Sequence, residues 1–312
     1  MLKIEFRAMG CQMAAFIDNG SSQSARALSL VPGWFEEWEA ALSRFRPESE
    51  LCALNSAAGR PFRAGAVLYE VVEIALAAAR SSGGLVVPSL LEALELAGYE
   101  RSFDELTASD RPPRARRMAP ARNGWEGIQL DPAAREIWLP GGVRLDLGGV
   151  AKGWAAQEAC RRLEVYGPSL VDAGGDIAIS SARQGGERWA VAVADPLQAA
   201  PVLVTLGLER GGVATSGIDF RRWRKDGRWN HHIIDPRSLE PAQTDLLSVT
   251  VLAADVVQAE IAAKAVLILG GADGLSWLED RPNTSALLAY QDGRVEYAGA
   301  VENYLWKEPQ LQ

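Results

Sequence analysis

From Trp125 to the end, the chain is a run of short β-prone stretches separated by turn residues, and this limits the fold more than any other feature. Strands are predicted at 127–130, 136–139, 143–147, 169–173, 176–180, 188–194, 202–207, 231–234, 248–253 and 285–297. In the last of these, Asp292-Gly293 separates ALLAYQ from RVEYA, a strong short-range signal for a hairpin. Only two helices punctuate the series, at 152–165 and at 256–269, the second stopped by Gly270-Gly271. A doubly wound parallel sheet needs a crossover between successive strands, usually a helix. Strands that mostly adjoin strands instead predict an α+β fold of mixed, largely antiparallel sheets with flanking helices.

The first 124 residues are more helical. A strand pair over 1–20 ends in a turn at Asn19-Gly20. A helix over 24–42 places Leu28, Leu30, Phe35, Trp38 and Leu42 near helical spacing, with Pro32-Gly33 as an interruption. Helices at 67–79 and 89–97 follow, the first ending at Ser81-Ser82-Gly83-Gly84. Residues 107–124 carry five arginines and three prolines without periodicity and read as an exposed loop.

Composition narrows the function. With 32 Lys+Arg against 40 Asp+Glu the net charge is −8, which disfavours nucleic-acid binding through bulk charge but leaves room for an anion in a local pocket. No window reaches 18 apolar residues, so no membrane span is expected. Glu5 and Arg7 interrupt any apolar run at the amino terminus, so no secretory signal is expected either, and a cytoplasmic protein is the reading. Cys11, Cys52 and Cys160 are far apart and form neither a CxxC pair nor a disulfide framework.

Three segments could carry chemistry. VRLDLGGVAKG at Val143–Gly153 runs from an apolar stretch bearing Asp146 through Gly148-Gly149 to a helix start at Lys152. Free N–H groups at such a start favour an anion, and Lys152 would add a charge, although a tight turn explains the glycines equally well. SLVDAGGDIAIS at Ser169–Ser180 places a glycine pair inside a strand, either a bulge or a ligand contact. The hydroxyl-bearing run Ala214–Gly217, with Ser216, precedes the chain's only histidines, His231 and His232, followed by Asp235. On a strand the two histidines face opposite sides, so at most one enters a given pocket; His232 with Asp235 is the candidate for proton transfer.

In this order, the segments resemble the FAD:protein FMN transferase, or ApbE, family. The likeness rests on Met9-Gly10, SRFRPESELCALN at Ser43–Asn55, SSGGLVVPSLLEAL at Ser81–Leu94, RLDLGGVAKG at Arg144–Gly153 and VDAGGDI at Val171–Ile177. It continues through VATSG at Val213–Gly217, HHIIDPRSLEPA at His231–Ala242 and LSVTVLAADVVQAEIAAKAVLILG at Leu247–Gly270. The resemblance implies one catalytic-type domain over 1–312, of two closely packed lobes. It also implies FAD as substrate, Mg²⁺, and transfer of FMN to a Thr or Ser of an acceptor flavoprotein with release of AMP. Carried onto this sequence, Met9, Phe45, Leu85, Val86 and Val87 would line the flavin pocket. Asp146, Lys152 and Ile234 would contact FAD, joined by Ser216, and Gly149 would offer its carbonyl to the metal.

Departures from the family pattern concentrate at the metal. Its helix typically reads Ala-Asp-x-x-x-Thr, whereas this chain reads Ala259-Glu260-Ile261-Ala262-Ala263-Lys264. Glutamate remains a hard oxygen ligand, but a charged lysine has no lone pair to give. Either Glu260 and Lys264 form an ordinary exposed i,i+4 pair, or the Lys264 ammonium sits where the ion would, held by Glu260 and Gly149. Val86-Val87-Pro88-Ser89 replaces the usual Phe-Asp-Pro-Thr, and Gln157 stands where an Asp is common. Two outcomes are open at this point: an active transferase, or a non-catalytic relative that binds FAD or a partner.

Overall fold

The computed structural model describes residues 1–107, 124–197, 199–225 and 227–306. Its frame is one eight-stranded sheet. In spatial order the strands are Leu2–Ala8, Cys11–Ile17, Ser169–Ala173, Asp176–Ile179, Gly211–Gly217, Leu246–Ala253, Ser285–Tyr290 and Val295–Ala298. Every neighbouring pair is antiparallel, as the strand-next-to-strand pattern predicts. All but the two ends of the predicted loop over 107–124 lies outside the described residues.

Side-chain alternation along the central strands splits the core in two. Val171, Ala178, Ala214, Val249 and Val251 point to the helical side, against the helices Ser22–Leu42, Ala151–Glu164 and Val256–Leu269. Leu170, Ile177, Ile179, Val213 and Leu252 point the other way, under the hairpin of Trp189–Ala194 and Val202–Leu208. A sheet covered on both faces needs small residues where helices press close. At Gly212 an added Cβ would lie 2.1 Å from the backbone nitrogen of Val256, so the helix Val256–Leu269 starts directly against this strand. Asp255 caps that helix, accepting a hydrogen bond from Gln258 N–H at 2.8 Å. A third, smaller core joins Leu94, Ala97, Tyr99, Trp223 and Ile234.

Five local differences separate the structure from the sequence reading. The helix Ser22–Leu42 runs through Pro32 unbroken, because Val31, Phe35, Trp38 and Leu42 bury one continuous face on the sheet. Residues 143–147 are extended but join no sheet. Asn55 takes a neighbour strand's place, its Oδ1 accepting from Leu145 N–H at 2.7 Å and its Nδ2 donating to Leu145 C=O at 2.9 Å. The strand predicted at 231–234 is split between Arg228–His231 and Ile234–Asp235. Finally, Gly211–Gly217 is a central strand that its glycines conceal in the sequence, and Gly271–Glu279 forms a further helix directly after the glycine stop.

Candidate active site

A cavity of about 250 Å³ opens where the amino-terminal end of the helix Ala151–Glu164 faces the turn at Met9-Gly10 and the loops after the first two long helices. Met9 adopts φ 49° in that turn and its N–H donates to Glu39 Oε2 at 2.8 Å, which ties the turn to the helix Ser22–Leu42. Met9, Phe45, Leu85, Val86, Val87 and Ile234 form the apolar wall, and Asp146, Gly149, Lys152, His232 and Lys264 line the polar part. The structure therefore gathers eleven of the sequence-derived residues around one space. Three others it does not bring to the lining. Glu260 lies immediately behind it; Ser216 is buried in its strand opposite Val249; Asp235 is turned elsewhere.

The polar part holds two ammoniums and two carboxylates interleaved. Lys264 Nζ is 2.9 Å from Glu260 Oε1, and Lys152 Nζ is 4.0 Å from the same oxygen while in contact with Asp176. Glu260 Oε2 accepts the N–H of Gly153 at 3.0 Å, where an added Cβ would collide with the carboxylate at 2.5 Å. Glu260 is 1% exposed, Asp176 2% and Lys264 15%, so this is no surface pair. The Lys264 chain passes beside Gly149, whose added Cβ would lie 3.8 Å from Lys264 Cε. Burial works against the Lys152 charge, but Asp176 and Glu260 outweigh it and raise the ammonium above the usual lysine range. Burial and the neighbouring Asp176 push the Glu260 carboxyl up, with both lysines opposing.

These residues do not fit a divalent ion. One Glu260 oxygen faces the Lys264 ammonium and the other takes an amide N–H; Asp176 is held by Lys152. Among the described residues no group of three His, Cys, Asp or Glu side chains could hold a metal. Gln157, in place of a carboxylate, accepts instead from Val256 N–H at 3.4 Å. An ammonium supplies charge and three N–H donors but no coordination sites.

The two histidines separate at the break between the strands Arg228–His231 and Ile234–Asp235. His231 Nε2 pairs with the carbonyl of Ala242 at 3.1 Å, whereas His232 turns into the cavity. His232 Nδ1 is shielded from solvent and has no hydrogen-bond partner among the described residues. Burial, reinforced by Arg221, Lys264, His231 and Lys152, holds this imidazole neutral, well below the usual histidine range. Asp235 offers no second proton carrier here: Arg237 clamps it, with Nη2 2.8 Å from Oδ2 and Nε 3.0 Å from Oδ1. Against a raising effect of burial, this clamp keeps the Asp235 carboxyl below the usual aspartate range.

Sequence reasoning missed Arg44, Arg221, Tyr99 and Asp176. Arg44, 5% exposed, pairs with Asp146 through Nε at 2.6 Å and donates from Nη2 to the Tyr99 carbonyl at 2.8 Å. Its guanidinium lies 4.1 Å from the Phe45 ring centre and 4.7 Å from that of Tyr99, which stacks at 5.2 Å on Trp223. Arg221 lines the cavity and donates to Cys11 Sγ at 2.7 Å. Asp176 could have been found, since it ends the VDAGGD run already singled out.

Fold and site together describe an α+β protein with a cavity that is apolar on one side and charged on the other, and comparison gives its class. The sequence profile of the ApbE family matches residues 9–288. A relative from Treponema pallidum named FAD:protein FMN transferase is 30% identical over 311 residues, covering 93% of this chain and 84% of its own. A Klebsiella pneumoniae protein of the same name is 28% identical over 85% of this chain and 81% of its own. Among solved structures, the ApbE protein of Thermotoga maritima superposes with a TM-score of 0.87 at 24% identity, covering 98% of this chain and 99% of its own. The flavinyl transferase ApbE of Pseudomonas stutzeri, in its apo form, gives 0.79 at 22% identity over 99% and 98%. The chain belongs to the ApbE family.

Proposed function

We propose that this chain binds FAD in the cavity and transfers FMN from it to a Thr or Ser hydroxyl of an acceptor flavoprotein, releasing AMP, with the Lys264 ammonium in the place of a divalent ion. Small-molecule sites commonly span about 300–1,000 Å³, so a dinucleotide extends beyond this cavity through its mouth. The isoalloxazine lies against Met9, Phe45, Leu85, Val86, Val87 and Ile234. The pyrophosphate lies at Lys152 and Lys264, beside the start of the helix Ala151–Glu164, whose dipole favours an anion there. In the reaction the acceptor hydroxyl forms a bond to the FMN phosphorus, the bond from that phosphorus to the bridging oxygen of the pyrophosphate breaks, and AMP departs. The hydroxyl proton passes to His232.

The observation that carries this reading is that the His232 imidazole, held neutral, lines the same cavity as two ammoniums. A base must be free to accept a proton, and positive charge must face the phosphates. A second reading, a relative that holds FAD without turning it over, draws on the charge balance. Lys152 and Lys264 are offset by Asp176 and Glu260, leaving Arg221 as the surplus. Transfer is therefore expected to be slower than with a doubly charged ion.

Titrating FAD against purified protein in EDTA, and then adding a Thr-bearing acceptor flavoprotein, separates these readings. Quenched flavin fluorescence followed by AMP release and a fluorescent acceptor band is the expected result. Quenching without AMP would leave the non-catalytic reading, and no quenching would refute both.

A further inference from the structure

Next to the cavity mouth the chain folds a two-stranded hairpin, Arg222–Lys225 paired with Arg228–His231. Its inner face packs against the segment that carries Tyr99 of the cavity wall. Trp223 is buried against Tyr99, its Nε1 donating to the Ala97 carbonyl at 2.8 Å, and Lys225 donates to the Leu96 carbonyl. The outer face has no such partner among the described residues. Trp229 is 57% exposed and carries two guanidiniums on its ring, Arg222 at 4.9 Å and Arg224 at 5.0 Å from the centre. Phe220, 77% exposed, leans on Phe103 of the cavity wall at 6.1 Å.

Exposed Trp, Phe and Arg in one small area are the residue types that dominate protein interfaces. Their charge identifies the partner. From Phe220 to His231 the sequence carries Arg221, Arg222, Arg224, Lys225 and Arg228 against the single Asp226, in a chain whose net charge is −8. A basic, aromatic face on an acidic protein attracts acidic polypeptide and repels other copies of its own bulk surface.

We infer that the outer face of this hairpin docks an acidic segment of the acceptor protein, steering its hydroxyl toward the adjacent cavity. The inference rests on the proposed FMN transfer for its biological meaning, but not for its test. Trp229 supplies the apolar anchor, Arg222 and Arg224 supply the carboxylate contacts, and Arg221, one residue earlier, continues the positive path into the cavity.

The test is direct binding, read by fluorescence anisotropy. The probe is a fluorescein-labelled peptide with one Thr flanked by Asp and Glu, compared with the same peptide carrying Asn and Gln. Wild-type protein is expected to hold the acidic peptide at least tenfold more tightly at low salt. Arg222→Glu with Arg224→Glu should remove that preference while FAD quenching stays at its wild-type value, which also shows the variant folded. Trp229→Ser should weaken both peptides. Equal affinity for the two peptides, or unchanged binding by the double variant, would overturn the docking face. Capture of phosphatidylglycerol vesicles or a single-stranded oligonucleotide with no binding of the acidic peptide would overturn it too. Loss of FAD binding in wild-type protein would instead strike the proposed function and leave the peptide result readable.

Discussion

Lys264→Met is expected to lower the melting temperature by several degrees and to weaken FAD binding at the same time. The substitution keeps an unbranched apolar stem, one atom shorter, and removes the charge 2.9 Å from a carboxylate that is 1% exposed. Taking one partner from a buried ion pair costs about 3–5 kcal/mol, because the other charge remains without compensation. For a chain of this length that corresponds to about 5–8 °C. Lys152, 4.0 Å from the same oxygen, recovers part of the loss. Adding Glu260→Gln should restore much of the melting temperature, since the amide oxygen can still accept the Gly153 N–H. FAD affinity should stay low, because the positive charge facing the phosphates is gone. Calorimetry of the single and double variants closes the cycle. A Lys264→Met protein that melts within 1 °C of wild type, by the same scale of about 1–2 °C per kcal/mol, would place the ammonium in solvent.

His232→Asn is expected to leave FAD binding near wild type and to slow FMN transfer by about 10²–10⁴-fold, the usual contribution of a positioned base. The pH profile gives a second readout. Burial and the surrounding cations hold this imidazole below its ordinary value, so it stays unprotonated through the normal histidine range. The acid limb of the rate should therefore lie below about pH 6.5, the value of a free histidine. The same shift acts on stability with a defined sign. As pH falls through about 6.5 the unfolded chain takes up a proton that the folded site refuses, so stability falls on the acid side and not on the alkaline side. A variant with full transfer rate, or a wild-type limb centred at the free-histidine value, would remove His232 from proton transfer.

The apolar side of the site was legible in the sequence because each part sits in its own short motif, as Met9, Phe45 and Leu85–Val87 do. The pairing of Glu260 with Lys264 was legible from helical spacing alone, and the structure adds the burial that spacing cannot give. Other parts depend on distant contacts. Nothing near Arg44 announces that a residue over a hundred positions later will take its guanidinium. Asp235 looked like a partner for His232 because it stands three residues on at the end of the predicted strand, whereas Arg237, two residues further, clamps the carboxylate. The central strand Gly211–Gly217 was hidden for a similar reason, since the helix pressing on Gly212 demands small residues where strand propensity asks for large ones.

The most direct test is Mg²⁺ dependence of FAD binding and FMN transfer, measured in EDTA and in excess Mg²⁺ for wild type and for the Glu260→Asp/Lys264→Thr variant. Wild type should behave identically in the two buffers, and the variant, with its ammonium removed and two oxygen ligands supplied, should gain a requirement for the ion. Wild-type protein that loses FAD binding in EDTA and takes up one Mg²⁺ per chain with the dinucleotide would contradict the account.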